Sequence, residues 1–262
     1  MTSLADRTIA SLRATHDELA TVVRGLADDE LSASSGASEW TVAQVLSHLG
    51  SGAEITRAGY LAAREGREMP GQEFNQSVWS RWDASGPREQ AAGFLEHDAA
   101  LVAGLEELPE HQRESLRIEI GFLPEPMTLA SFAGMRLNEA AMHGWDVRIA
   151  LDPAATVDAD TSEVLLEHLA GGLGFVLGFG GKADQVSDPA VVQIEGSPAA
   201  IAIADRVSLT TSAAAPTATF TGDLEAAIRL IAGRLTPSHT PASVRVTGNV
   251  TLDDLRRVFP GY

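Results

Sequence analysis

The chain has no cysteine among its 262 residues. Disulfides, thiolate metal ligands and a cysteine nucleophile are therefore excluded, and any thiol chemistry needs a thiol brought from outside. Basic charge is scarce: 19 lysines and arginines stand against 36 acidic residues, the net charge is −17, and Lys182 is the single lysine. That balance argues against nucleic acid or an anionic membrane as a partner and favours a small-molecule ligand. No apolar run approaches the length of a membrane span. The opening MTSLADRTIASL is amphipathic and charged, unlike a signal peptide, so a cytoplasmic location is expected. There is no phosphate loop and no Gly-x-Ser-x-Gly elbow. The run Gly171-Gly172-x-Gly174 sits inside a helical pattern with no strand before it, so it is not a dinucleotide fingerprint. Hydrophobic residues are not scarce: at 44% they supply a sizeable core and argue against wholesale disorder.

The first half reads as helices. Leu4, Ile9, Leu12, Leu19, Val23 and Leu26 recur at helical intervals over 4–27, and SASSGAS (32–38) follows as a loop. A second helix is expected from Thr41, with Thr41 and Gln44 as a capping-box pair and Val42, Val45, Leu46, Leu49 and Ile55 facing inward. Residues 66–87, with Pro70, Gly71, Trp79 and Trp82, read as a long connection. A third helix is expected over 88–105. After an irregular stretch at 109–126, a fourth begins near Thr128 and stops before Asp152-Pro153. The connections 66–87 and 109–127 are expected to wall a pocket.

After Pro153 the pattern changes. Residues 160–180 read as one more helix, with Asp160 and Glu163 as its capping pair. Short β-like runs follow at 191–196, 200–205, 207–211 and 217–222, then a helix at 224–234, a strand at 244–248 and a terminal helix at 252–259. The fold class expected is α+β in two domains, a helical bundle over 1–152 and an α+β domain with a mostly antiparallel sheet over 153–262.

Within the fourth helix, Glu139 and His143 lie four residues apart, one turn apart on one face. A carboxylate oxygen and an imidazole nitrogen so placed can hold two corners of a metal ion, and His48 is the candidate third ligand. Spacing alone also fits an ordinary exposed Glu–His pair and a core histidine with a satisfied hydrogen bond. Two ligands from one helix and one from another would leave an open coordination position, the mark of a catalytic rather than a structural site.

Two stretches carry a resemblance. WTVAQVLSHL matches at Trp40, Thr41, Val42, His48 and Leu49, and NEAAMHGWDVRIAL at Glu139, His143, Gly144, Trp145, Asp146 and Arg148. In these the chain resembles the DinB-like metal-dependent four-helix bundles, and within them the mycothiol-dependent maleylpyruvate isomerase family. TGDLEAAIRLIAGRL and VRVTGNVTLDDLRRVFPG are similar to that family's second, sterol-carrier-protein-like α+β domain. The resemblance implies zinc on His48, Glu139 and His143, and mycothiol as thiol cosubstrate. It also implies a catalytic arginine from the second domain, for which Arg234 in IAGRL is the match; a helix C-terminal arginine complementing the dipole is the plainer reading. Asp146 and Arg148 are candidates to orient the ligating histidine, or else form an ordinary ion pair.

The implied chemistry is a metal-activated thiolate acting on a small electrophile, either by cis–trans isomerisation of a maleylpyruvate-type substrate or by thiol transfer. A non-catalytic metal-containing binding protein remains the alternative of a different class. The ligand set also accepts nickel, cobalt or iron. The expected partners are mycothiol and a small-molecule substrate, without nucleic acid or membrane, on a monomer or small homo-oligomer.

Overall fold

Ser3 opens the first helix by accepting a hydrogen bond from the Asp6 amide at 3.1 Å. Helix α1 (Leu4–Gly25) runs into the short α2 (Asp28–Ser32), and α3 (Val42–Glu65) follows. Its start is the capping box read from the sequence: Thr41 Oγ1 accepts from the Gln44 amide at 3.2 Å, and Gln44 Oε1 accepts from the Thr41 amide at 2.8 Å. Such a cap contributes about 1 kcal/mol. Gly66, at φ 65°, ends α3 in the left-handed conformation that glycine adopts without a Cβ clash. The first unit continues through α4 (Gln72–Asp83), α5 (Pro87–Glu106), α6 (Glu110–Ser115), β1 (Arg117–Ile118), β2 (Met127–Thr128) and α7 (Leu129–Ile149). This computed structural model describes residues 2–211 and 215–261. By internal contacts the chain divides into units Met1–Ala155 and Thr156–Tyr262.

In the first unit, α3 packs on α5 and α1 on α7, with α1–α5 and α3–α7 contacts closing a four-helix bundle. Its core holds Leu12, Leu19, Leu46, Leu49, Phe94, Leu101, Leu137 and Trp145, each nearly inaccessible to water. Two expected connections differ from their reading. Residues 66–87 contain α4, whose Val78 and Trp82, four apart on one face, are buried at 2% and 5% exposure. The indole of Trp82 enters a notch between α3 and α5 that two glycines make possible. A Cβ on Gly50 would lie 2.1 Å from the ring, and one on Gly93 2.7 Å. Residues 109–126 contain α6 and β1, and β1 pairs antiparallel with β2.

The second unit holds α8 (Ala159–Ala170), α9 (Gly174–Gly180), β3 (Ala190–Ile194), β4 (Ala200–Ile203), β5 (Val207–Thr210), β6 (Ala218–Thr221), α10 (Leu224–Ile231), β7 (Arg245–Gly248) and α11 (Leu252–Val258). The single helix expected over 160–180 is broken at Gly171, and α8 and α9 meet at 82°. Its cap is Asp158, which accepts from the Thr161 amide at 2.9 Å, in place of Asp160. The sheet runs β5-β4-β3-β6-β7, with β3–β6 parallel and the other pairs antiparallel. Alternation places Ala190, Val192 and Ile194 of β3 and Ala218 and Phe220 of β6 in the core. The fold is thus α+β, a helical part followed by a mostly antiparallel sheet. Among the described residues no single helix is long and apolar enough to cross a membrane.

Candidate metal centre

Helix α3 brings His48 and helix α7 brings Glu139 and His143 to one point of the bundle. One ligand atom from each lies within 4.8 Å of the others. His48 Nε2 is 2.9 Å from Glu139 Oε2, and His143 Nε2 is 3.7 Å from the same oxygen. Two ligands each about 2.0–2.1 Å from a tetrahedral zinc ion stand about 3.3 Å apart. The two separations from Glu139 straddle that value, and with all three atoms within 4.8 Å of one another the set can close on a divalent ion by side-chain shifts.

The tautomer needed for ligation is set from behind. His143 Nδ1 lies 2.9 Å from Asp146 Oδ2, and the Asp146 side chain is fully buried. A carboxylate in this place favours the proton on Nδ1 and leaves Nε2 as the nitrogen that faces the centre. Arg148, the other residue named with Asp146, instead pairs with Glu18 at 3.0 Å. For Glu139, burial pushes the carboxyl pKa up. The hydrogen bond with His48, which a bound cation would displace, and the electrostatic influence of His143, His48 and Arg136 outweigh it and hold the group below the ordinary glutamate range. A carboxylate that stays ionised is what a cation requires of a candidate ligand.

Trp40, at the turn into α3, covers the two imidazoles. Its ring stacks on His143 at a centroid distance of 5.9 Å, tilts against His48 at 5.3 Å, and the two imidazoles meet edge-on at 4.7 Å. Beside His48 opens a cleft of about 380 Å³ lined by Trp40, Gln44, Ser47, Ser51, Trp79, Asp83 and Gln90. Asp83 is its charged member. The stretch 66–87 supplies Trp79 and Asp83 to this wall as part of a helix, and 109–127 supplies none of it. Trp82, which shared the expectation for Trp79, is a core residue that donates from Nε1 to Glu54 at 3.1 Å.

Arg234 lies in the second unit, just after α10, with 8% exposure. Its amide donates to the Arg229 carbonyl at 2.7 Å and its Nη1 to the Ala232 carbonyl at 2.9 Å. Sequence reasoning missed three further buried polar residues of the bundle, His16, Asp98 and Arg136. A signal existed. His16 falls between Leu12 and Leu19, Asp98 between Phe94 and Leu101, and Arg136 beside Phe132 and Ala140, all on apolar stripes at helical spacing.

Residues 12–148 match the family model described as the mycothiol maleylpyruvate isomerase N-terminal domain. Among solved structures, the chain is similar to a crystal structure of the mycothiol-dependent maleylpyruvate isomerase, with a TM-score of 0.65 and 16% identity. That match covers 95% of this chain and 98% of the other. A histidine-to-alanine mutant of that isomerase matches with a TM-score of 0.64 at 17% identity over the same shares. At such identity the likeness is one of fold. None of the curated proteins matches the chain.

Proposed function

The chain belongs to the family of the mycothiol maleylpyruvate isomerase N-terminal domain, and from that premise we propose that it is a metal-dependent, mycothiol-using enzyme acting on a small electrophile. The observation that carries this reading is the convergence of His48, Glu139 and His143, a three-residue ligand set beside a cleft. Three protein ligands leave room for an exogenous donor, and in a cysteine-free chain a thiol donor has to come from outside. When bound there, a divalent metal, zinc in this proposal, lowers the pKa of a thiol donor so that the thiolate is present near neutral pH.

The residues of the chain have separate tasks. Asp146 holds His143 in the ligating tautomer. Glu139, kept ionised, supplies the negative charge that offsets the cation. Trp40 shields one side of the imidazole pair from water, and the cleft wall of Gln44, Ser47 and Gln90 offers hydrogen bonds to a bound ligand. Arg234 is proposed to meet a carboxylate of the electrophile through paired N–H···O bonds, a local exception to the −17 background. The thiolate adds to an activated double bond, the bond between the two carbons rotates while single, and the thiolate leaves: a cis–trans isomerisation of the maleylpyruvate type. Retention of the sulfur would instead give thiol transfer.

The experiment is metal analysis of the purified protein followed by a mycothiol titration and a maleylpyruvate assay. About one zinc per chain, saturable thiol binding and isomer formation are expected, with His48→Ala folded but unable to hold the metal. A wild-type protein that takes up no stoichiometric metal after reconstitution would return Glu139 and His143 to an ordinary helix pair.

A further inference from the structure

The bundle buries a charged network that the proposed chemistry does not use. Asp98 of α5 sits between His16 of α1 and Arg136 of α7, and these side chains are 4%, 4% and 3% exposed. His16 Nδ1 is 2.7 Å from Asp98 Oδ2, and Arg136 Nη2 donates to Asp98 Oδ1 at 2.6 Å. The same Nη2 also donates to the Leu49 carbonyl of α3 at 2.9 Å. Four helices therefore meet at one guanidinium and one carboxylate.

The place of this junction is what matters. Leu49 directly follows His48, and Arg136 stands one turn before Glu139. The network grips α3 and α7 where each presents its ligand. Gly52 clears the way for it, since a Cβ there would lie 3.1 Å from Arg136 Nη1. Arg136 Nε is buried without a hydrogen-bond partner, so the guanidinium is placed to reach Leu49 and Asp98 rather than to satisfy all its donors. Buried ion pairs are poor stability devices, because apolar residues of the same shape often stabilise as well or better. Their best-attested use is to fix one register among several that an apolar interface would tolerate. Apolar contacts are non-directional and mark no single register of the α3–α7 seam. A 2.9 Å hydrogen bond to a main-chain carbonyl beside His48 is directional and does.

We propose that Arg136, held by Asp98 and His16, is a positioning residue for the metal centre, fixing the separation of α3 and α7 at the level of His48 and Glu139. The proposal rests on the metal reading of those ligands. Its test compares the wild type with Arg136→Lys, which keeps the charge and loses the planar fork, and with an Asp98→Asn/Arg136→Gln double variant, which removes both charges together. Leu105→Ala, a cavity in the same bundle away from the junction, is the control for general destabilisation. Zinc affinity is read by competition with a chromophoric chelator, ligand geometry by the visible spectrum of the cobalt-loaded protein, and folding by circular dichroism. The expected result is at least tenfold weaker zinc binding in the folded network variants, with a displaced or weakened cobalt band. Leu105→Ala should lower the melting temperature and leave both unchanged. Zinc affinity within twofold of wild type and an unaltered cobalt spectrum in the network variants would overturn the positioning role alone. A wild type that holds neither zinc nor cobalt would overturn the metal reading and this proposal with it.

Discussion

Asp146→Asn is nearly isosteric and changes the centre without replacing a proposed ligand. In the native protein the buried carboxylate accepts from His143 Nδ1 at 2.9 Å. Asparagine lacks the negative charge that makes Nε2 a better donor to a cation. Its amide can also turn an N–H toward Nδ1, which favours the tautomer protonated on Nε2, and that tautomer cannot ligate. Loss of such a carboxylate behind a ligating histidine weakens metal binding about 10- to 100-fold, or ~1.4–2.8 kcal/mol. The assay is a zinc competition titration near pH 7.5, with circular dichroism to show that the bundle persists. His48→Ala, which removes a ligand outright, should lose more. Asp146→Asn binding zinc within threefold of wild type would refute the idea that this carboxylate sets the donor atom.

Gly50→Ala puts a methyl where the Trp82 indole lies 2.1 Å away; overpacking of this kind costs about 1–3 kcal/mol, and proteolysis should show α4 loosened while zinc binding persists. Arg234→Ala is expected to raise KM for an anionic electrophile tenfold or more with metal content unchanged; an equal loss for an uncharged electrophile would argue against carboxylate pairing. Acid should destabilise the bundle. Asp98 is pushed up by burial, but the Arg136 charge and the His16 and Arg136 hydrogen bonds win and hold it below its ordinary value of 3.8. Its contribution is therefore complete above that value and lost as pH falls through the lower folded pKa. Urea denaturation from pH 6 to pH 2.5 checks this, and stability that rises on acidification below pH 4 would contradict it.

Where residues act locally, the sequence is a good guide. The Thr41–Gln44 reciprocal cap and the i,i+4 pair on α7 need nothing beyond their own helix. The short β-like runs coincide with β3 to β7 because alternation and turn residues act over a few positions. Helix α4 was not legible, because its flanks are rich in glycine and proline and its anchor, Trp82, becomes a core residue only against Gly50 and Gly93 of other helices. The parallel pairing of β3 with β6 joins strands far apart in the chain, which local pattern does not encode. Likewise His48 and Glu139 become neighbours only through bundle packing. The buried junction of His16, Asp98 and Arg136 shows in sequence only as polar residues at apolar positions, without naming which meets which.

The two helices that meet at His48 and Glu139 are distant in the chain: the residues are 91 positions apart. Before the bundle closes, helix α7 by itself brings only Glu139 and His143 together, which is too few donors for tight capture. On the proposed metal reading, loading waits until the bundle has closed. On that reading metal uptake would be a late event that reports completed topology, and a growing chain, in which His48 emerges long before Glu139, would be spared from being trapped by a cation in a wrong arrangement.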